Sequence, residues 1–173
     1  MQPANCAGQI LRIYFDKQNM SEPKKYTRAE IEAVMPQQDP FLFLDSAVID
    51  GYTAYGTYKI KGDEDFLRGH FKNNPVFPGT IMLEAFGQLG VLYLLKASVP
   101  EIAGPVDSSK IFVTSLEMAR VMRICRPGDV MEVKAEAVRL RHPIAAFRGH
   151  MEVAGERAAF VEKTCLTFDY LKI

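Results

Sequence analysis

Apolar positions change their period along this chain, and the changes mark its elements. Residues 1 to about 25 hold one apolar patch, residues 10 to 15, among Pro3, Gly8, Asn19 and Pro23, and no period persists there. They read as an extension, residues 1–25, ahead of a single domain over 26–173. Met20 opens an ordinary polar leader and offers an alternative start. Thr27-Arg28-Ala29-Glu30 has the form of a capping box, in which the hydroxyl accepts from the third helical amide and the glutamate reaches back to the cap. A short helix over about 28–35 should stop at Pro36. Residues 43–50 and 53–61 are rich in β-branched and aromatic side chains, and Asp50-Gly51 between them is a hairpin turn signal. Residues 62–79 carry their glycines and prolines mainly after position 68 and read as a loop.

From 80 to 97 there is no proline, and leucine, methionine and alanine predominate, which makes the only long helix in the chain. Ile81, Met82, Leu83, Ala85, Phe86, Leu89, Val91, Leu92, Leu94 and Leu95 point in every direction about its axis, so the spacing predicts burial on all sides. After 108 the pattern is that of strands, over 111–124, 130–140, 145–153 and 158–168, with turns at Arg126-Pro127-Gly128-Asp129 and Ala154-Gly155-Glu156. Five to seven strands around one apolar helix predict an α+β domain in which a curved antiparallel sheet wraps a long central helix.

Composition narrows the function without choosing it. Hydrophobic residues make up 48% and charged residues 24%, as in a folded domain rather than a disordered chain. Lys+Arg and Asp+Glu each number 21, so no overall field draws nucleic acid, and no zinc spacing or basic tract suggests it. Cys6, Cys125 and Cys165 lie too far apart for a zinc site or a disulfide framework and read as reduced thiols of a cytoplasmic protein. No apolar run reaches the roughly 18 residues of a membrane span.

Thr80, Glu84 and Gln88 interrupt the apolar helix at intervals of four, which sets them in one row. Two readings are open. Glu84 and Gln88 could cap loop amides or meet a partner subunit; alternatively, burial that favours the neutral carboxyl suits Glu84 to work as a general acid. The preceding loop favours the second, because it brings a histidine to the same helix. It runs Gly69-His70-Phe71-Lys72-Asn73-Asn74-Pro75-Val76-Phe77-Pro78-Gly79. His142, between Arg141 and Pro143, and His150, beside Gly149, have no comparable setting and read as structural or solvent-facing.

Gly-His-Phe, then Pro-Val-x-Pro-Gly, then Glu-Ala-x-x-Gln resembles the signature of the β-hydroxyacyl-acyl-carrier-protein dehydratases. Pro40-Phe41-Leu42-Phe43-Leu44-Asp45, Ala119-Arg120 and Pro127-Gly128-Asp129 extend the resemblance over roughly 27–170. It implies a hot-dog fold, a homodimer as the minimal unit with a trimer of dimers as a larger assembly, and active sites that pair His70 of one subunit with Glu84 of the other. The implied reaction converts a (3R)-3-hydroxyacyl chain on acyl carrier protein to the trans-2-enoyl form. A glutamate at 84 resembles the branch that does not isomerise the double bond. A neutral imidazole at His70 would take the C2 proton, Glu84 would help the 3-hydroxyl leave as water, and no cofactor or metal is needed. The Gly79 N–H, at a helix N-terminus, is the candidate donor to the thioester oxygen. Phe71, Val76 and Gln88 are the remaining candidates for substrate contact. Arg120, Arg123 and Arg126, spaced by three, are candidates for docking the acidic carrier, although in a regular strand that spacing alternates faces.

The chain departs from the signature at Lys72, where proline is usual and φ is therefore freed, and at Gln37-Gln38-Asp39, where His-Arg-Tyr is usual. Polyketide or polyene synthesis stands open beside fatty acid synthesis as the pathway. A hot-dog thioesterase and a non-catalytic acyl-binding protein are the rival functions.

Overall fold

The computed structural model describes residues 22–172; Cys6, the apolar patch at 10–15 and the alternative start at Met20 lie outside the described residues. Seven antiparallel strands form one sheet in the order β1-β2-β3-β5-β6-β7-β4. The strands are β1 (Lys24–Thr27), β2 (Ser46–Asp50), β3 (Thr53–Lys59), β4 (Phe112–Val121), β5 (Val130–Arg141), β6 (Ile144–Val153) and β7 (Glu156–Thr167). A short helix α1 (Arg28–Glu32) follows β1, and the long helix α2 (Gly79–Lys96) lies in the curve of the sheet. The α+β architecture read from the sequence is the architecture found.

Alternation along the strands builds the inner face. In β3, Ala54, Gly56 and Tyr58 are buried, and their partners in β5 are Ala135, Val133 and Met131. Several of these residues are small because α2 comes close. A Cβ at Gly149 would run into the Lys134 carbonyl and reach 2.8 Å from the Phe86 ring, so only glycine lets β6 and the helix approach this far.

Residues 85–94 of α2 are all buried, but the first turn departs from the expected all-round burial. Thr80 is exposed, and Ile81, Leu83 and Glu84 are half-buried. The sheet ends at β4, an edge strand.

Three boundaries differ for identifiable reasons. Lys24 and Lys25, read as part of the extension, pair with Ile49 and Val48 as the outermost strand. The capping box forms as expected, with the Thr27 N–H donating to Glu30 Oε2 at 2.8 Å. The helix it starts ends at Glu32, because the Gln38 amide donates to the carbonyls of Glu32 (2.9 Å) and Met35 (2.8 Å) and turns the chain there. The strand expected from 43 begins only at Ser46, since the Phe43 N–H is taken by a side chain of α2 rather than by a neighbouring strand.

Candidate active site

His70 lies past a single 3-10 turn, Asp65–Arg68, whose Phe66 carbonyl accepts from the amides of Gly69 (3.2 Å) and His70 (3.0 Å). The loop closes on itself: Val76 N–H donates to the His70 carbonyl at 2.8 Å, and His70 Nδ1 lies 2.8 Å from the Val76 carbonyl oxygen. A carbonyl oxygen can only accept, so Nδ1 carries the hydrogen and the neutral ring keeps its lone pair at Nε2. The imidazole stacks on Phe71 with ring centroids 3.9 Å apart, and Phe71 itself is exposed. Beneath the loop, Phe77 packs against Phe66 (5.4 Å), Phe43 (6.0 Å) and Tyr58 (6.0 Å), a buried aromatic floor that fixes the strand-side end.

Tyr58 donates its hydroxyl to Glu64 Oε1 at 2.8 Å. Burial, then that bond to a carboxylate, pushes the Tyr58 phenol well above its ordinary range. Burial opposes ionisation of Glu64, but bonds from the Lys61 and Gly62 amides and the Tyr58 hydroxyl outweigh it and hold the carboxyl below its usual value. The pair anchors the start of the loop.

On α2 the row of polar residues is real, and its members differ in role. Gln88 is completely buried. Its Oε1 accepts from the Phe43 N–H (2.8 Å), and its Nε2 donates to the Phe41 carbonyl (2.9 Å) and to Glu84 Oε1 (2.9 Å). Both amide hydrogens are thereby engaged, so Gln88, a candidate for substrate contact by sequence, stands behind Glu84 and aims it. Among the described residues, Glu84 Oε2 has no bonding partner, and no bond within the chain joins Glu84 to His70. Gln88 thus bonds the loop backbone, as the capping reading expects, and Glu84 lies in the second turn from the N-terminal end of the helix.

That end is uncapped. Pro78 precedes α2 without a side-chain hydrogen bond, the first turn holds no acidic residue, and the first amide bonds are from Ile81 and Met82 to the Pro78 carbonyl. The amides of Gly79 and Thr80 come before them and lie at the positive end of the helix dipole. A Cβ at Gly79 would come 2.8 Å from Val121 Cγ2, so glycine also lets β4 close over this corner. Val76 is half-buried beside His70.

The three arginines make separate contacts. Arg120 lies over the Phe160 ring at 5.9 Å. Arg123 donates to the Val153 carbonyl at 2.6 Å and pairs with Asp129 (3.7 Å) and Glu156 (3.6 Å). Arg126 turns back onto the histidine loop, bonding Asn74 and Pro75. Of the other histidines, His142 pairs with Asp169 at 3.1 Å, and His150 sits 3.4 Å from Glu152 with burial lowering its pKa.

Sequence reasoning missed Arg28. Its Nη1 donates to the carbonyls of Leu42 (2.8 Å) and Leu44 (3.0 Å), so the segment that receives Gln88 is held from both sides. The Pro-Phe-Leu-Phe-Leu-Asp motif located that segment, but nothing in its spacing names the guanidinium that binds it.

The model of the FabA-like domain matches residues 35–162. A 3-hydroxyacyl-[acyl-carrier-protein] dehydratase FabZ of Pelotomaculum thermopropionicum is 33% identical over 135 residues, covering 77% of this chain and 92% of its own. A FabZ of Caulobacter vibrioides is 35% identical over 138 residues, covering 78% and 83%. Among solved structures, the dehydratase heterocomplex ApeI:P of Xenorhabdus doucetiae superposes with a TM-score of 0.60 at 11% identity, over 79% of this chain and 90% of that one. The fluoroacetyl-CoA thioesterase FlK does so at 0.56 and 11% identity, over 70% and 87%. These last two share the fold, which carries both dehydration and thioester hydrolysis. The family match spans most of the described sheet, the histidine loop and α2 together, and the chain belongs to the FabA-like family.

Proposed function

We propose that this chain is a hydro-lyase that converts 3-hydroxyacyl chains on acyl carrier protein to the trans-2-enoyl form in fatty acid biosynthesis or a related route. One observation carries the assignment of roles: the bond from His70 Nδ1 to the Val76 carbonyl leaves Nε2 as the basic nitrogen. In this reading, Nε2 removes the C2 proton while negative charge builds on the thioester oxygen, to which the Gly79 N–H at the uncapped helix end donates a hydrogen bond. The C3–O bond then breaks, and Glu84, aimed by Gln88, supplies the proton with which the hydroxyl departs as water. Phe71 and Val76 border the imidazole and are the substrate-side walls.

The reading pairs His70 of one subunit with Glu84 of another in a homodimer. Its support is the edge strand. Phe112, Val113, Leu116, Met118 and Val121 of β4, with Met122 and Ile124 beyond it, are between 44% and 63% exposed. An unpaired strand edge with apolar residues on both faces is a surface for a second chain. Val121 touches the corner at Gly79, so a partner seated on β4 arrives beside Glu84. No helix among the described residues is long and apolar enough to cross a membrane, and the free thiols of Cys125 and Cys165 fit the reducing cytoplasm to which we assign the enzyme.

Purified protein incubated with 3-hydroxyacyl carrier protein should raise the enoyl absorbance without releasing free thiol, and His70→Ala and Glu84→Gln should each lower kcat by roughly a hundredfold or more. Full activity in either variant refutes the roles, and thiol release in place of enoyl product would show a thioesterase.

A further inference from the structure

Arg126 reaches out of the β4–β5 turn and grips the histidine loop. Its Nη1 donates to Asn74 Oδ1 at 2.7 Å and to the Pro75 carbonyl at 3.2 Å. The next contact along the loop comes from the neighbouring residue of the same turn, where the Cys125 carbonyl accepts from the Phe77 N–H at 2.8 Å. Positions 74, 75 and 77 are thus tied to one turn, and Val76, whose carbonyl receives His70 Nδ1, sits between the ties.

The turn itself is firm. The Arg126 N–H donates to Asp129 Oδ2 at 2.9 Å, Gly128 N–H to the Ile60 carbonyl at 2.8 Å, and Ile60 N–H to the Asp129 carbonyl at 2.9 Å. The tip of the loop, residues 71–74, has hydrogen bonds only within itself and to Arg126 among the described residues. Lys72 stands where a ring would restrict φ, Asn73 adopts a left-handed φ of 58°, and the crossing is closed by two bonds between Phe71 and Asn74. A guanidinium that meets a side-chain oxygen and a backbone carbonyl of consecutive residues fixes both the place and the direction of that tip.

We propose that Arg126 is a positioning residue for the reaction: by holding Asn74 and Pro75 it keeps the Val76 carbonyl on His70 Nδ1, and so keeps Nε2 the unprotonated nitrogen. This rests on His70 being the base, and it gives Arg126 a task different from carrier docking, which would act on affinity for the carrier alone.

The test compares Arg126→Ala, Arg126→Lys, Asn74→Ala and the Arg126→Ala/Asn74→Ala double variant, with carrier-bound substrate and with a short pantetheine thioester. Arg126→Ala should lower kcat roughly ten- to a hundredfold on both substrates with KM little changed. Arg126→Lys should recover part of the loss, and the double variant should lose less than the product of the single losses. Nitrogen-15 spectra of the His70 ring should show one Nδ1–H tautomer in the parent and a mixture in Arg126→Ala. A loss confined to KM for the carrier-bound substrate, or a ring spectrum unchanged in Arg126→Ala, overturns the proposal. The ring spectrum needs no turnover, so a parent chain that dehydrated nothing would sink the proposed function while the positioning of His70 was still judged on its own.

Discussion

Gln88 is the residue on which two parts of the site depend. Replacing it with methionine, of similar length, leaves the Phe43 N–H and the Phe41 carbonyl without their partner and releases Glu84. Each buried group left unbonded costs about 1–3 kcal/mol. Gln88→Met should therefore lower stability by about 1–3 kcal/mol in a urea titration, chiefly through the buried Phe43 N–H, and in steady-state assays it should reduce kcat more than it alters KM; an unchanged unfolding midpoint would contradict the bonding described. The row of Thr80, Glu84 and Gln88 was legible in the sequence because a helix repeats every 3.6 residues. What Gln88 binds was not, since residues 41 and 43 lie more than forty positions away and no local period records a pairing across the fold. His70 was legible from its motif, whereas the bond that sets its tautomer depends on how the loop closes over Val76.

At the level of elements, patterning located the long helix and six of the strands, because each has the alternation or the apolar density that a buried face demands. It missed β1, whose four residues include two lysines and whose only half-buried side chain is Tyr26. An edge strand of that kind has a single hydrogen-bonded neighbour and no core face, so no alternation marks it. Patterning also overextended β4 past Val121, where the amides of Met122 (2.8 Å) and Arg123 (3.2 Å) both turn to the Ala158 carbonyl. The contact between β6 and α2 gives a sharp test. Gly149→Ala should destabilise the fold by about 3 kcal/mol, at the upper end for overpacked cores, because the added methyl meets backbone that cannot swing aside. A thermal melt within a degree of the parent would show that the sheet yields there.

For the whole molecule, the proposed homodimer puts its boundary at β4. Leu116→Lys together with Met118→Lys should shift the protein toward the monomer in sedimentation, and activity should fall with it while far-ultraviolet circular dichroism stays close to the parent; a variant that stayed dimeric and active would place the subunit boundary elsewhere. The opposite margin of the sheet has a consequence of its own. Arg28 binds the carbonyls of Leu42 and Leu44, and the backbone between them is the ledge on which Gln88 rests. A shortened chain beginning at Glu22 would retain this support whole. One beginning at Ala29 would lose both the outermost strand and the guanidinium, and the slack would pass along the ledge, through Gln88, to the carboxyl group that it helps to aim.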